Sequence, residues 1–473
     1  LSAFVKLGDG TNPASDYLED ITDVVSDGVV DSIDARLFEY DKDYYNVSSV
    51  EGSPKYFALP WFSSLSGGLV YDVGLFKEKH LFPNDPESEV VYKGLDGIAG
   101  TEDDNYGPNG KTGVIDGVDY SFDDNLPATW SDFDALIEEM KAIDVTPFCF
   151  TNLDDYTTAY LYALWASYEG KSNVELLKTF NGEYRYRNES GEVETLAITE
   201  SNGYETAYQN GKKAAVSVAE KIVKGKLYED QCFYSSTDNI KAQKLYLGSK
   251  AGMYQGVKPI AFLMEGVWWE NEAKDYFGEI AGRKGESYAY GTREFGIMPT
   301  PKFEGDDFVP RQVDYESSTL TFGSAKVSQY GSSVFINKKS ERKDLAKLFL
   351  KYAYSDAMNA DFTVCSGIPK PFKYNLTAEQ TARLTPYQRT VFSLTQNPSV
   401  LKASNINRNK YILTQNAMIK EIGGFASGTG VNKKTNVFTA FYNTGADGNI
   451  TKTDYWNDVL SIDYKTAWQK AGW

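Results

Sequence analysis

Side chains able to do covalent or metal chemistry are scarce in this chain, and flat aromatic ones are abundant. His80 is the single histidine among 473 residues, which removes Ser–His and Cys–His nucleophile pairs almost entirely and rules out every multi-histidine metal site. Cys149, Cys232 and Cys365 are widely spaced and odd in number, so they form neither a CxxC pattern nor a disulfide framework. Gly107-Pro108-Asn109-Gly110-Lys111-Thr112 looks like a phosphate loop, but Asn105 stands where the motif's first glycine belongs and no apolar strand precedes it. Carboxylate pairs such as Asp103-Asp104 could suggest a glycosidase, yet with 66 acidic residues such pairs arise by chance, and none is marked as acid and nucleophile. What remains is 34 Tyr and 8 Trp. Such surfaces suit sugars, whose C–H faces lie flat on a ring while their hydroxyls find polar partners at its rim.

The elements that must position such residues are legible in outline. Val145-Thr146-Pro147-Phe148-Cys149-Phe150 reads as a strand giving way to a helix at Thr151, and ligands favour the carboxyl ends of strands in α/β sheets. Asp154, Asp155 and Tyr156 are therefore candidates, the carboxylates to accept from hydroxyls and the ring to stack. Either Asp could instead cap the helix. Thr129 and Asp132 match a capping box ahead of Phe133, Leu136, Ile137, Met140 and Ile143 at helical spacing, which makes Trp130 structural. Leu59-Pro60-Trp61 ends one strand, and a Gly67-Gly68 break leads into another, Leu69-Val70-Tyr71. Ala207, Gly211, Ala214, Ala215, Val218 and Ile222 share a helix face that stops at Gly225. Ser340 is expected to cap a helix with Leu345, Leu348, Phe349 and Tyr352 on one face.

The order of these segments resembles the extracellular solute-binding proteins that feed carbohydrate-importing ABC transporters, of the maltose-binding-protein-like type. The resemblance rests on Tyr56 to Pro60, Tyr71-Asp72, Pro127-Ala128-Thr129-Trp130 with Phe133, Gly266-Val267-Trp268 and Gly367-Ile368-Pro369, and it runs from Tyr17 to about Phe372. Asp72 departs from the family's usual Asn. The resemblance implies a two-lobe α/β fold with crossing hinge segments near 66 to 70, 299 to 316 and 352 to 358. The first lobe is expected over 1–68 plus 300–352. The second is expected over 69–299 plus 353–473, with an acidic insertion at 84–126 and a helical C-terminal region. It also implies ligand contacts at Trp61 and Phe62, at Trp268 and Trp269, and at Tyr254 and Phe372. An oligosaccharide would bind in the interlobe cleft, close it, and be handed to a membrane permease without covalent chemistry. A glycan-active hydrolase and a noncatalytic surface lectin are the alternatives.

The insertion, with Asp96, Asp103, Asp104 and Asn105 among glycines, offers the oxygen ligands calcium prefers, though not in EF-hand spacing. A solvated acidic loop is the simpler reading, and no other cofactor is expected. Forty-eight basic against 66 acidic residues give a net charge of −18, which argues against nucleic acid, since phosphate contacts need clustered Lys and Arg. No apolar run of membrane-spanning length occurs. Together with the resemblance, these features lead to the expectation of a monomer outside a Gram-positive cell. A lipid anchor and a first strand-helix unit are expected upstream of Leu1.

Overall fold

The run from Leu65 to Asp72 forms one strand, β1 (Leu65–Asp72), buried along its whole length in the computed structural model of the protein. The glycines expected to break it lie inside it for a steric reason. Gly67 has φ +82°, and a Cβ there would overlap the backbone of Ala159 and Tyr160, so only glycine lets β1 lie directly against the helix carrying those residues. The structure describes residues 17–26, 32–38, 46–48, 54–62, 65–101, 104, 114–115, 118–119, 125–151, 153–313, 320–325, 333–397, 400–404, 422, 424–425, 437–443 and 450–470. Among them no helix is long and apolar enough to cross a membrane. The chain divides into two units, Leu1–Leu65 with Ala325–Pro398 and Ser66–Ser324 with Ser399–Trp473.

Strands β2 (Thr146–Cys149), β3 (Ile260–Gly266), β4 (Phe295–Met298), β5 (Leu320–Ala325) and β6 (Val400–Ser404) complete the larger unit's six-stranded sheet. Its order is β6-β5-β1-β3-β2, and β4 also pairs with β1. β3 runs antiparallel to β1, with Phe262 opposite Tyr71, and parallel to β2, with Phe262 opposite Phe148. Helix α1 (Trp130–Ala142) begins at the expected capping box, Thr129 and Asp132 each accepting from the other's backbone N–H. Its Phe133 packs against Phe148 and Phe262, and Trp130 packs on Phe133 and Phe303. Helix α2 (Asp154–Thr179) is interrupted at Gly170 (φ 73°), and α3 (Asn210–Lys224) stops at Gly225 as its spacing predicts.

Asp72, where the family usually has Asn, is fully buried and caps the next helix by accepting from the Leu75 N–H at 2.9 Å. It also accepts from Arg293 Nε at 2.8 Å and Nη2 at 2.5 Å, with Lys250 Nζ at 3.4 Å. Asn could cap as well but could not neutralise a guanidinium that is itself 6% exposed, so the departure is matched by a buried cation.

The smaller unit surrounds Ile21, Val24, Leu37, Tyr56, Leu59 and Ile336. Leu59–Pro60 pairs with Ser333–Val334, and Leu18 bridges to Asn337. Ala353, Tyr354, Ala360, Phe372 and Tyr374 belong to the same core. Residues 353–398 are therefore part of this unit rather than of the second lobe, where the sequence reading placed them. Residues 300–324, expected here, go with the larger unit's sheet through β5. The helix Lys343–Ala353 starts later than the expected Ser340 cap. Its N-cap is Arg342, with no side-chain cap bond, and Ala346, Leu350 and Ala353 face the core. Leu345, Leu348, Phe349 and Tyr352 point outward, each more than half exposed.

Candidate functional site

In the larger unit the candidates gather where β3 and β2 end. β3 closes at Gly266, and a Cβ on that residue would overlap the Trp268 indole. Glycine therefore lets the ring fold back over its own strand end, half-buried, with its edge toward Tyr156 at 6.3 Å between centroids and 61° between planes. Tyr156 reaches this place because α2 begins just after β2 ends, with Thr151 and Leu153 held at the handover. The Thr151 hydroxyl donates to the Thr237 carbonyl at 3.1 Å and accepts from the Leu153 N–H at 3.1 Å. Asp154 and Asp155 occupy the first two positions of α2, and Leu153, not either Asp, is the N-cap residue.

Next to Gly266 on β3 is Glu265, 3% exposed, accepting from the Gly266 N–H at 2.7 Å and from Gln243 Nε2 at 3.0 Å. Burial pushes its carboxyl up to about 8, against the pull of those two hydrogen bonds. The same Gln243 amide also donates to Glu272 at 2.6 Å, so one side chain ties β3 to the short helix Trp269–Glu272 that follows the turn.

Trp269, expected as a second stacking residue, is fully buried against Tyr246, Phe277 and Phe295. The turn after Gly266 sends two consecutive indoles to opposite sides, and the second one fills the core. Tyr254 is half-buried, its hydroxyl hydrogen-bonded to that of Tyr276 at 2.8 Å. A cavity of about 280 Å³ elsewhere in this unit, lined by Tyr184, Tyr186, Tyr208 and Asn210 among others, contains none of the expected ligand residues.

In the smaller unit Trp61 leaves the Leu59–Pro60 strand half-buried, edge-on to Tyr354 at 6.0 Å and to Phe362 at 6.1 Å. Phe62 beside it is also half-buried. Phe372, expected at the ligand because it follows the Gly367-Ile368-Pro369 turn, is fully buried on Tyr354. The residue of that turn that reaches Trp61 is Lys370, whose ammonium lies 4.4 Å from the indole centroid. Sequence reading missed Lys370, because a lone lysine among prolines carries no periodic signal. A lysine expected to be solvated gives no hint that it lies under an aromatic ring.

In the acidic insertion Asp103 and Asn105 lie outside the described residues. Asp104 is 8% exposed and accepts from the backbone N–H groups of Gly100 and of Thr101, the latter at 2.9 Å. Asp96 accepts from the Ile98 N–H at 2.7 Å. These carboxylates order their own loop through its amides. Among the described residues no group of three His, Cys, Asp or Glu side chains is placed to hold a metal.

The profile of the family described as bacterial extracellular solute-binding protein matches residues 4–360. The structure is similar to that of the sugar-binding protein MalE from the phytopathogen Xanthomonas citri, with a TM-score of 0.52 and 13% identity over 97% of this chain and 81% of that one. At that identity the likeness is one of fold. Maltose-bound MalE3 of T. maritima matches with a TM-score of 0.49 and 13% identity, over 96% of this chain and 81% of that one. A Bacillus licheniformis sugar transporter in complex with stachyose matches with a TM-score of 0.48 and 13% identity, over 98% and 83%. No curated protein matches the sequence.

Proposed function

The chain belongs to the bacterial extracellular solute-binding proteins, and from that premise we propose that it is the carbohydrate-binding component of an ABC importer. It takes up an oligosaccharide of two or more units by aromatic stacking and hydrogen bonding, leaves it chemically unchanged, and delivers it as a monomer to a membrane permease. The observation that carries the reading is the Tyr156–Trp268 pair. A half-buried indole is held at a strand end by Gly266, with a second ring at its edge and a polar helix start beside it. That is the form of a platform for a sugar's C–H face. Trp61 and Phe62, half-buried at the end of another strand, offer a second aromatic surface in the smaller unit. The description of the Xanthomonas citri relative as sugar-binding agrees with this reading. A lipid anchor upstream of Leu1, on the outer face of a Gram-positive membrane, would keep the protein near its permease.

The test is calorimetric titration of maltotriose, raffinose, stachyose, xylotriose and chitotriose, followed by mass analysis of each recovered sugar. Binding in the micromolar range, about −8 kcal/mol, with the sugar recovered intact is the expected result. Hydrolysis of any of them would replace a binding protein with an enzyme. Heat from a peptide or polyol and from none of the sugars would end the carbohydrate assignment.

A further inference from the structure

Lys370 is 1% exposed, yet no carboxylate among the described residues pairs with it. Its ammonium donates one hydrogen bond, to the Ala353 carbonyl at 3.0 Å, and otherwise lies among rings: 4.4 Å from the Trp61 centroid, 4.6 Å from Tyr354 and 5.1 Å from Phe362. The Tyr374 hydroxyl accepts from the Lys370 N–H at 2.9 Å, which fixes the backbone from which the side chain extends. Tyr354 is held in turn, its hydroxyl donating to the Pro60 carbonyl one residue before Trp61. A desolvated ammonium inside three π-faces is attracted to all of them and resists displacement of any one. Trp61 and Phe362 are half-buried and Tyr354 is fully buried, and of the three rings Trp61 is the one that leaves a strand end.

We propose that Lys370 is a positioning residue for carbohydrate binding: its ammonium, caged by Trp61, Tyr354 and Phe362, sets the plane of the Trp61 indole on which the sugar stacks. This rests on the proposed function for its ligand, though not for its geometry. Tyr354 and Phe362 reach Trp61 only edge-on, whereas the cation covers the face and so opposes tilting, the motion that edge contacts restrain least.

The charge on Lys370 is what the cage recognises, and it can be titrated. Burial alone pulls the ammonium down to about 8. The groups on the elements around it act elsewhere. Asp356 pairs with Arg36, Asp361 takes a hydrogen bond from Gln380, Cys365 is exposed, and the Tyr374 phenol is pushed up to about 12. Loss of the Lys370 proton near pH 8 should therefore release the Trp61 plane.

The experiment compares wild type, Lys370→Met and Lys370→Arg from pH 6 to 10. Trp61 emission, taken as the difference from Trp61→Phe, is recorded with its acrylamide quenching, and so is affinity for the tightest-binding sugar of the calorimetric panel. In wild type the Trp61 signal is expected to change with a midpoint near pH 8, and affinity to fall at least tenfold between pH 7 and 9.5. Lys370→Met should show the high-pH signal and the weak affinity throughout, whereas Lys370→Arg, which stays charged, should keep the low-pH signal and tight binding. A pH-independent Trp61 signal in wild type overturns the proposal, as does Lys370→Arg behaving like Lys370→Met, or a Trp61 transition without a change in affinity. If Lys370→Met does not fold, the wild-type titration still decides. If no sugar binds at any pH, the proposed function fails, and the Trp61 signal judges the cage separately.

Discussion

Truncating Trp268 to alanine should weaken sugar binding and leave the fold almost untouched, and the structure supplies the magnitudes. An indole side chain can bury about 150–250 Å². Trp268 is half-buried, so about 100 Å² remains, and covering all of it at about 25 cal/mol per Å² would contribute about 2.5 kcal/mol. Incomplete overlap with a sugar ring brings the expected loss to about 1–2.5 kcal/mol, a rise in Kd of about 5- to 70-fold. The cost to the fold is chiefly the edge contact with Tyr156, about 0.5–1.5 kcal/mol, or a few degrees in melting temperature. Trp269→Ala should do the reverse. That indole is fully buried between Tyr246, Phe277 and Phe295, and its loss should cost about 3–5 kcal/mol of stability through the cavity left behind. Calorimetry with the best-bound sugar and thermal melting of both variants form the assay. Unchanged affinity in Trp268→Ala, or a collapse of its melting temperature, would refute the assignment of this indole to the ligand.

Asp72→Asn should keep the helix cap yet strand Arg293, destabilising the protein by about 3–5 kcal/mol in urea unfolding, and the double variant with Arg293→Met should recover part of that loss. Glu169 and Glu265 are buried carboxyls pushed up to about 7 and about 8 from an ordinary 4.5. The folded state therefore holds their protons more tightly than the unfolded one, so their contribution is full below about 4.5 and is lost as pH rises through 7 and 8. Melting temperature should decline across that window, and a rise would contradict the burial of both groups. A calcium ion shared by Asp96, Asp103, Asp104 and Asn105 would raise stability by mass action. Chelation should then lower the melting temperature or expose the loop to protease, whereas no change in either would leave the loop's order to the hydrogen bonds of Asp96 and Asp104.

What the sequence determined by itself is local and periodic. The Thr129/Asp132 box, the face of Asn210–Lys224 and its stop at Gly225 depend on contacts within a few residues, so spacing alone carries them. The scarcity of histidine and the excess of aromatic surface are equally legible, because composition limits chemistry before any folding. The side on which a residue falls is not local. Trp268 and Trp269 are the same residue type at adjacent positions, and only the packing of the turn after Gly266 puts one at the surface and one in the core. Leu345, Leu348, Phe349 and Tyr352 have the periodicity of a buried stripe, yet Ala346, Leu350 and Ala353 take the core side. Helical spacing names a face without naming what will cover it. Residues 353–398 joined the smaller unit because Tyr354 and Phe372 complete a core begun by Ile21 and Leu59, more than 290 residues earlier in the chain. The burial of Lys370 under Trp61 is likewise a long-range event, arising only once the turn at Gly367 and the strand end at Pro60 are folded against Ala353 and Tyr354 at the end of the helix Lys343–Ala353.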